Sequence, residues 1–369
     1  MEETIEKQVT SKDIIKHYFS SLIIYGIILA FIILCPLYYE SIKNQNFDYT
    51  AFFYIYYIGY LVFAPVIFFA VKPKSILKSR NIAIINYVKR QFRKNETTEE
   101  FLKNIEPKED EKQAFTILFM KTFFGVYTVN ILCNDYLANL KYNFEFLYAL
   151  YAQAITDIST GLSKFSGILQ YVIDTGDVWL KLILTLTTLV LAFSYLTELD
   201  LLKNKIKSVD TTPLGILTCI ACYYPVTLIT NKAFQVTTES LIPVNNQILL
   251  AVLNILVILV NIGILISILR LGSKSGNLTN RGIVTGFPYN IVRHPNYSLY
   301  IMYILLTTIP LIVSQSYSII EKTMILGATF IWIYIYYLRS ITEERHLIKD
   351  PEYQKYVEKV KYRFIPKIL

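Results

Sequence analysis

Apolar residues in this chain come in blocks about as long as a lipid bilayer is thick. A helix needs about 20 mainly apolar residues to cross the hydrocarbon layer. Eight stretches qualify: 20–39, 51–71, 114–138, 178–198, 212–230, 248–270, 297–314 and 319–339. The third carries Lys121 and Asp135, which makes it the least regular of the set. A shorter ninth stretch, 142–156, contains Glu145 and reads as a re-entrant or interfacial helix. Only 17% of the 369 residues are charged, against about a quarter in soluble domains. The expected fold is therefore all-α, a polytopic membrane protein of about eight transmembrane helices. Thirty Tyr and 22 Phe suit a chain with many membrane–water interfaces, where aromatic rings with a polar edge settle.

Charge gives these blocks a direction. With a cytoplasmic N-terminus, the segments 1–19, 72–113, 199–211, 271–296 and 340–369 face inside and hold 27 Lys and Arg. The opposite segments hold only Lys43, Lys141, Lys164 and Lys232. Cytoplasmic loops are enriched in Lys and Arg, so both termini are expected in the cytoplasm. The net charge of +8 then belongs to those loops rather than to a nucleic-acid surface. No cleavable signal peptide is expected, because about twenty mostly polar residues precede the first apolar block. Cys219 and Cys222 form a C-x-x-C inside an apolar run, with no second Cys or His pair nearby. They read as small apolar residues of a helix, and no metal site is expected.

Three regions follow. Residues 1–113 hold two spans and a basic segment. Within it, 76–92 has helical apolar spacing suited to a membrane surface, and 94–112 reads as a charged linker with Pro107. Residues 114–176 add further membrane or interfacial helices. Residues 177–369 carry the chemistry.

The last hundred residues differ from the rest. A polar stretch from Arg270 to Arg281 leads into Gly282-Ile-Val-Thr-Gly-Phe-Pro-Tyr289, and then Arg293-His-Pro-Asn-Tyr297. Two closely spaced spans form a hairpin, and the second runs into Arg339-Ser-Ile-Thr-Glu-Glu344. The hairpin returns the chain to one membrane face, so Arg293 and His294 can meet Arg339, Glu343 and Glu344 there. Ionisable groups at a membrane border are costly unless they pair or bind something. Arg339 and Glu343 are i,i+4, so a salt bridge between them is the alternative to a binding site.

This segment resembles the signature shared by isoprenylcysteine carboxyl methyltransferases and small phospholipid methyltransferases. That signature is a Gly/Tyr segment, Arg-His-Pro-x-Tyr, a helical hairpin, Glu-Glu and an x-Glu-Tyr-x-x-Tyr…Pro tail. Here the tail is Pro351-Glu-Tyr-Gln-Lys-Tyr356 followed by Phe364-Ile-Pro366. The resemblance implies a membrane-bound methyltransferase using S-adenosylmethionine, with the cofactor site at the cytoplasmic end of the C-terminal helices. By position it implies cofactor contacts from Arg281, Gly282, Ile283, Val284, Tyr289, His294, Pro295, Asn296, Tyr297 and Glu343. Arg339 would orient the acceptor, and Glu344 or His294 would take a proton if the nucleophile needs deprotonation. The implied acceptor is a lipid or lipidated molecule in the bilayer, either a prenylcysteine-type carboxylate or the amine of a phospholipid.

Two positions depart from the pattern. Gly286-Phe-Pro-Tyr289 stands where Gly-Pro-Tyr is common. Leu299 stands where a glycine often follows the motif Tyr, and its side chain either narrows the cofactor pocket or repacks the helix. The other readings are a membrane reductase of steroid-reductase type, which would use a nicotinamide cofactor, and a non-catalytic membrane protein.

Overall fold

The computed structural model describes residues 8–34, 49–92, 97–137, 140–159, 164–199, 201–223, 226, 246–314 and 317–368. The described chain is mostly helical. Its helices are α1 Ser11–Leu34, α2 Tyr49–Val71, α3 Arg80–Gln91, α4 Thr98–Ile105, α5 Glu109–Ile131, α6 Leu140–Ser159, α7 Lys164–Leu196 and α8 Pro213–Ile220. They continue with α9 Gln247–Leu271, α10 Pro295–Val313, α11 Ile319–Leu347 and α12 Pro351–Lys359. Two two-residue strands, β1 Ser208–Val209 and β2 Thr279–Asn280, pair antiparallel.

Among the described residues, seven helices are long and apolar enough to cross a membrane: α1, α2, α5, α7, α9, α10 and α11. The expected 142–156 element is the helix α6. The expected eighth span, 212–230, is helical over Pro213–Ile220 among the described residues. That is about 12 Å at the α-helical rise, less than half of a hydrocarbon layer. Most of that block beyond Tyr223 lies outside the described residues.

Local sequence sets the ends. Ser318 and Glu321 form a reciprocal capping box at the start of α11, with Ser318 N donating to Glu321 Oε2 at 2.8 Å. Proline fills the first turn of α8, α10 and α12, where its missing N–H costs nothing.

The chain divides into two compact units, Met1–Val126 and Tyr127–Leu369. In the first, α1 and α2 are tied by the Tyr18 hydroxyl donating to Leu61 O at 2.9 Å. Ile84 of α3 is buried with Ile24 and Ala114, and Asn81 donates to Ser21 Oγ at 2.8 Å. The amphipathic 76–92 stretch thus spends part of its apolar face on α1. The 94–112 segment is not simply a linker. Thr97 caps α4, its hydroxyl accepting Glu100 N at 3.1 Å, and α5 begins at Glu109. Arg90 then grips both oxygens of Glu111 at 2.8 and 2.7 Å.

In the second unit, Val260, Ile264 and Ile268 of α9 form a buried cluster with Val190 and Leu191 of α7 and Leu299 and Tyr303 of α10. Ile304, Trp332 and Tyr336 join α10 to α11. A third cluster, Tyr289, Tyr353, Tyr356 and Val360, closes the polar end.

Candidate functional site

Three segments of the second unit are sewn together at one end of its helices. The β1–β2 pair joins 204–212 to 272–294. Ser194 Oγ donates to Ser275 O at 2.7 Å. Arg281 is buried and its Nη1 donates to the carbonyls of Ser194, Ser273 and Asn204 at 2.8, 3.2 and 3.4 Å. Helix ends leave carbonyls without partners, and Arg281 meets that need where α7 and α9 stop. The end of α11 is attached to the same face. Arg345 Nη2 donates to Asp210 Oδ2 at 3.1 Å, and Ser208 Oγ lies 3.0 Å from His346 Nε2. Asp350 accepts from Asn280 Nδ2 at 2.8 Å and Glu352 N at 2.9 Å, with Lys207 Nζ 3.5 Å away. Although burial raises its pKa, these donors and the lysine charge hold it below the ordinary 3.8.

Because α7 and α9 both end at this face, Thr212 and Asn246 lie at opposite ends of the bundle.

Glu344 is the hub of the site's floor. Arg293 Nε donates to its Oε1 at 2.8 Å, Arg363 Nη2 to its Oε2 at 2.7 Å, and His294 Nε2 stands 3.0 Å from Oε1. Its side chain is only 15% exposed. The same residues bind the tail. Arg293 N donates to Tyr362 O at 2.9 Å and His294 N to Arg363 O at 3.0 Å. Ser298 Oγ donates to Phe364 O at 2.7 Å. The Arg-His-Pro turn and the C-terminal tail are therefore one structure.

One helical step away, Glu343 has a different environment. The Tyr297 hydroxyl donates to its Oε2 at 2.8 Å, and His294 Nδ1 is 3.8 Å from the same oxygen. His294 stacks on Tyr297, ring centroids 5.2 Å apart and nearly parallel. The Glu343 side chain is 33% exposed.

Arg339 is buried among three tyrosines, its guanidinium carbon 5.1, 5.7 and 5.8 Å from the ring centres of Tyr297, Tyr336 and Tyr223. Its Nη2 donates to Asn277 Oδ1 at 2.8 Å. Among the described residues no ion pair joins it to Glu343. The i,i+4 salt bridge is not formed, because Arg339 bonds Asn277 while Glu343 bonds Tyr297. A guanidinium in an aromatic cage with one neutral hydrogen bond retains donors for an anion.

Of the residues singled out in sequence, His294, Tyr297, Arg339, Glu343 and Glu344 converge. Tyr289, Ile283 and Val284 sit in the neighbouring apolar cluster with Tyr353, and the Tyr356 hydroxyl donates to Tyr289 O at 2.6 Å. Gly282 takes φ +99°, a conformation that favours glycine, and its N–H donates to Asn280 Oδ1 at 2.8 Å. Pro295 opens α10. Asn296 Oδ1 is buried without a hydrogen bond. Arg281 directs its Nη1 into the carbonyl knot.

Sequence reading missed Asn277, Tyr223, Tyr336 and Arg363. Asn277 lay within the polar stretch before Arg281, but nothing in its neighbours marked it. Leu299 repacks a helix rather than entering the site. A Cβ placed on Gly263 would lie 3.1 Å from Leu299 Cδ1, so the leucine fills the notch that this glycine leaves on α9. No protein-family model, curated protein or solved structure matches this chain.

Proposed function

We propose that this chain is an integral membrane methyltransferase that moves a methyl group from S-adenosylmethionine to a membrane-associated acceptor. The observation that carries the reading is the pairing of Glu343, half-open and held by Tyr297, with Arg339, buried and without an acidic partner among the described residues, one helical turn apart.

The residues suit that cofactor. Glu343 keeps Oε1 open to an ammonium group, and Asn296 Oδ1 is a buried acceptor lacking a donor. Bound S-adenosylmethionine supplies a methyl already activated on its sulfonium. The protein's task is then to exclude water and align nucleophile, methyl and sulfur, an effect worth up to about 7–11 kcal/mol. Glu343 holds the cofactor's amino end, Tyr297 and His294 fix the rotamer of Glu343, and Arg339 orients an anionic acceptor. Glu344 has both oxygens engaged by Arg293 and Arg363, so its part is to hold the floor rather than to accept a proton.

A carboxylate acceptor of prenylcysteine type fits best. It is ionised at neutral pH and needs orientation rather than a base, and a guanidinium matches it with two parallel hydrogen bonds. An amine lipid would need deprotonation first. The test is to incubate membranes holding the protein with methyl-labelled cofactor and treat the product with mild alkali. A base-labile ester is expected. A base-stable label in an extractable lipid overturns the carboxylate acceptor, and no label together with no cofactor binding overturns the methyltransferase.

A further inference from the structure

The polar end of the second unit carries apolar side chains outside any span. Phe287 is 59% exposed, Ile365 49% and Ile368 77%, and Ile291 and Tyr362 are also open. They come from a turn and a tail that sequence holds 70 residues apart. The backbone bonds Arg293 N–Tyr362 O and His294 N–Arg363 O bring them side by side. Within the tail, Phe364 turns inward and is buried, so Ile365 and Ile368 turn outward. Ile368 N donates to Ile365 O at 3.2 Å, closing the turn that presents both. Lys361 and Lys367 flank them and are exposed. The tail also touches the first turn of α10 through Ser298 and Phe364 O. That turn begins a membrane-length helix, so the surface lies where a bilayer's headgroups would meet the protein.

We propose that the 287–291 turn and the 361–368 tail form one surface that seats on anionic phospholipid headgroups, the apolar side chains entering the acyl boundary and Lys361 and Lys367 pairing with phosphate. Three observations favour a lipid occupant over a second copy of the chain. The tail that carries the patch is bonded to the first turn of α10, a helix long and apolar enough to cross a membrane. Its charge is positive, which suits an anionic leaflet and would repel a like surface. It presents exposed apolar side chains beside exposed lysines, a combination that binds interfaces through both buried area and charge. The consequence is a fixed depth for the Glu343–His294 floor, because Arg293, His294 and Arg363 belong both to that floor and to the turn and tail that anchor it.

The proposal is independent of the methyl-transfer reading and is tested without any activity. A photo-reactive benzophenone residue is placed singly at 287, 365, 358 and 259 in the full-length protein, reconstituted in phosphatidylcholine vesicles with about 30% phosphatidylglycerol. Leu259, exposed in mid-α9, and Glu358, exposed on α12, mark lipid and water. Adducts are identified by mass. Lipid adducts are expected at 287, 365 and 259 and not at 358, with phosphatidylglycerol enriched severalfold over its bulk share at 365 and in its bulk share at 259. The double variant Lys361→Glu/Lys367→Glu is expected to abolish the enrichment while keeping the adducts. Absence of lipid adducts at both 287 and 365, adducts in the bulk ratio at 365, or protein–protein adducts in their place would each overturn it.

Discussion

At Glu343 one carboxylate oxygen accepts the Tyr297 hydroxyl; at Glu344 both oxygens are held by guanidinium groups. Adjacent positions on a helix point about 100° apart, so two chemically identical residues meet different neighbours. This predicts opposite phenotypes. Glu343→Gln keeps shape and removes charge, and is expected to weaken S-adenosylmethionine by about 1.5–3 kcal/mol, roughly 10- to 150-fold in Kd, with little change in thermal stability. Glu344→Gln leaves Arg293 and Arg363 facing each other without their shared anion. It is expected to cost on the order of 3 kcal/mol of stability, read as a lowered midpoint in thermal unfolding of the detergent-solubilised protein. Equal destabilisation by the two variants would remove the distinction. At Arg339 the aromatic cage selects for a flat cation. Arg339→Lys is expected to lower the methylation rate sharply while leaving cofactor affinity nearly intact, because an ammonium offers neither the planar stack nor the paired donors. Matched rates for the two side chains would argue that only charge is used.

At the scale of elements, α9 and α10 meet through a small-residue notch. Helices in lipid gain no hydrophobic drive from touching each other, so close packing at small residues carries the contact. Leu299 fills the space over Gly263. Gly263→Val is expected to destabilise by about 1–3 kcal/mol through overpacking, and the added Leu299→Ala change should recover part of that loss. A double variant no more stable than Gly263→Val alone would show that the two residues do not share the space. The α12 cap makes a second, pH-dependent tie. Asp350 has a folded-state pKa below its ordinary 3.8, so its carboxylate stabilises the fold fully above that value. The stability is lost as pH falls through it toward the folded-state value. Thermal unfolding measured from pH 5 down to about pH 3 should show a decline that is shallower in Asp350→Asn, which should already be less stable at pH 7. Parallel declines in the two proteins would exclude Asp350 as a source.

For the whole molecule the question is how many times the chain crosses. Among the described residues seven helices have the length and apolarity, while Thr212 and Asn246 stand at opposite ends of the second unit's bundle. The expected eighth passage between them would make the total even and return both termini to one side. The distribution of 27 Lys and Arg against four leads to the expectation that this side is the cytoplasm. Reporter fusions at 45 and 235 are expected to read outside, and fusions at 90, 205 and 285 inside. Fusions at 205 and 235 reading the same side would break the eight-passage topology.

The spans were legible because bilayer thickness imposes one length on every crossing helix and hydropathy is additive along the chain. α2, α9 and α10 lie close to where apolar runs begin and end, and α11 begins with its run but continues eight residues past it, to Leu347. Within 212–230 the described helix runs over Pro213–Ile220, since composition records that a block is apolar and not how far a helix runs. Arg293, His294, Arg339 and Glu344 were legible because a short hairpin must return the chain to the same face. Which carboxylate each cation would choose was not, because i,i+4 spacing permits an Arg339–Glu343 bridge and only packing against Asn277 and Tyr297 rules it out. Asn277 and Arg363 stand 62 and 24 residues from Arg339 along the sequence. No local period links them: Asn277 reaches Arg339 from the segment that carries β2, and Arg363 reaches Glu344 from the tail bonded to the start of α10. The sequence by itself determined the number of apolar blocks and the residues rich enough in chemistry to form a site. The tertiary structure decided which of those residues bind each other and which stay open to a ligand, because hydrogen-bond partners are chosen by distance in space rather than by separation along the chain.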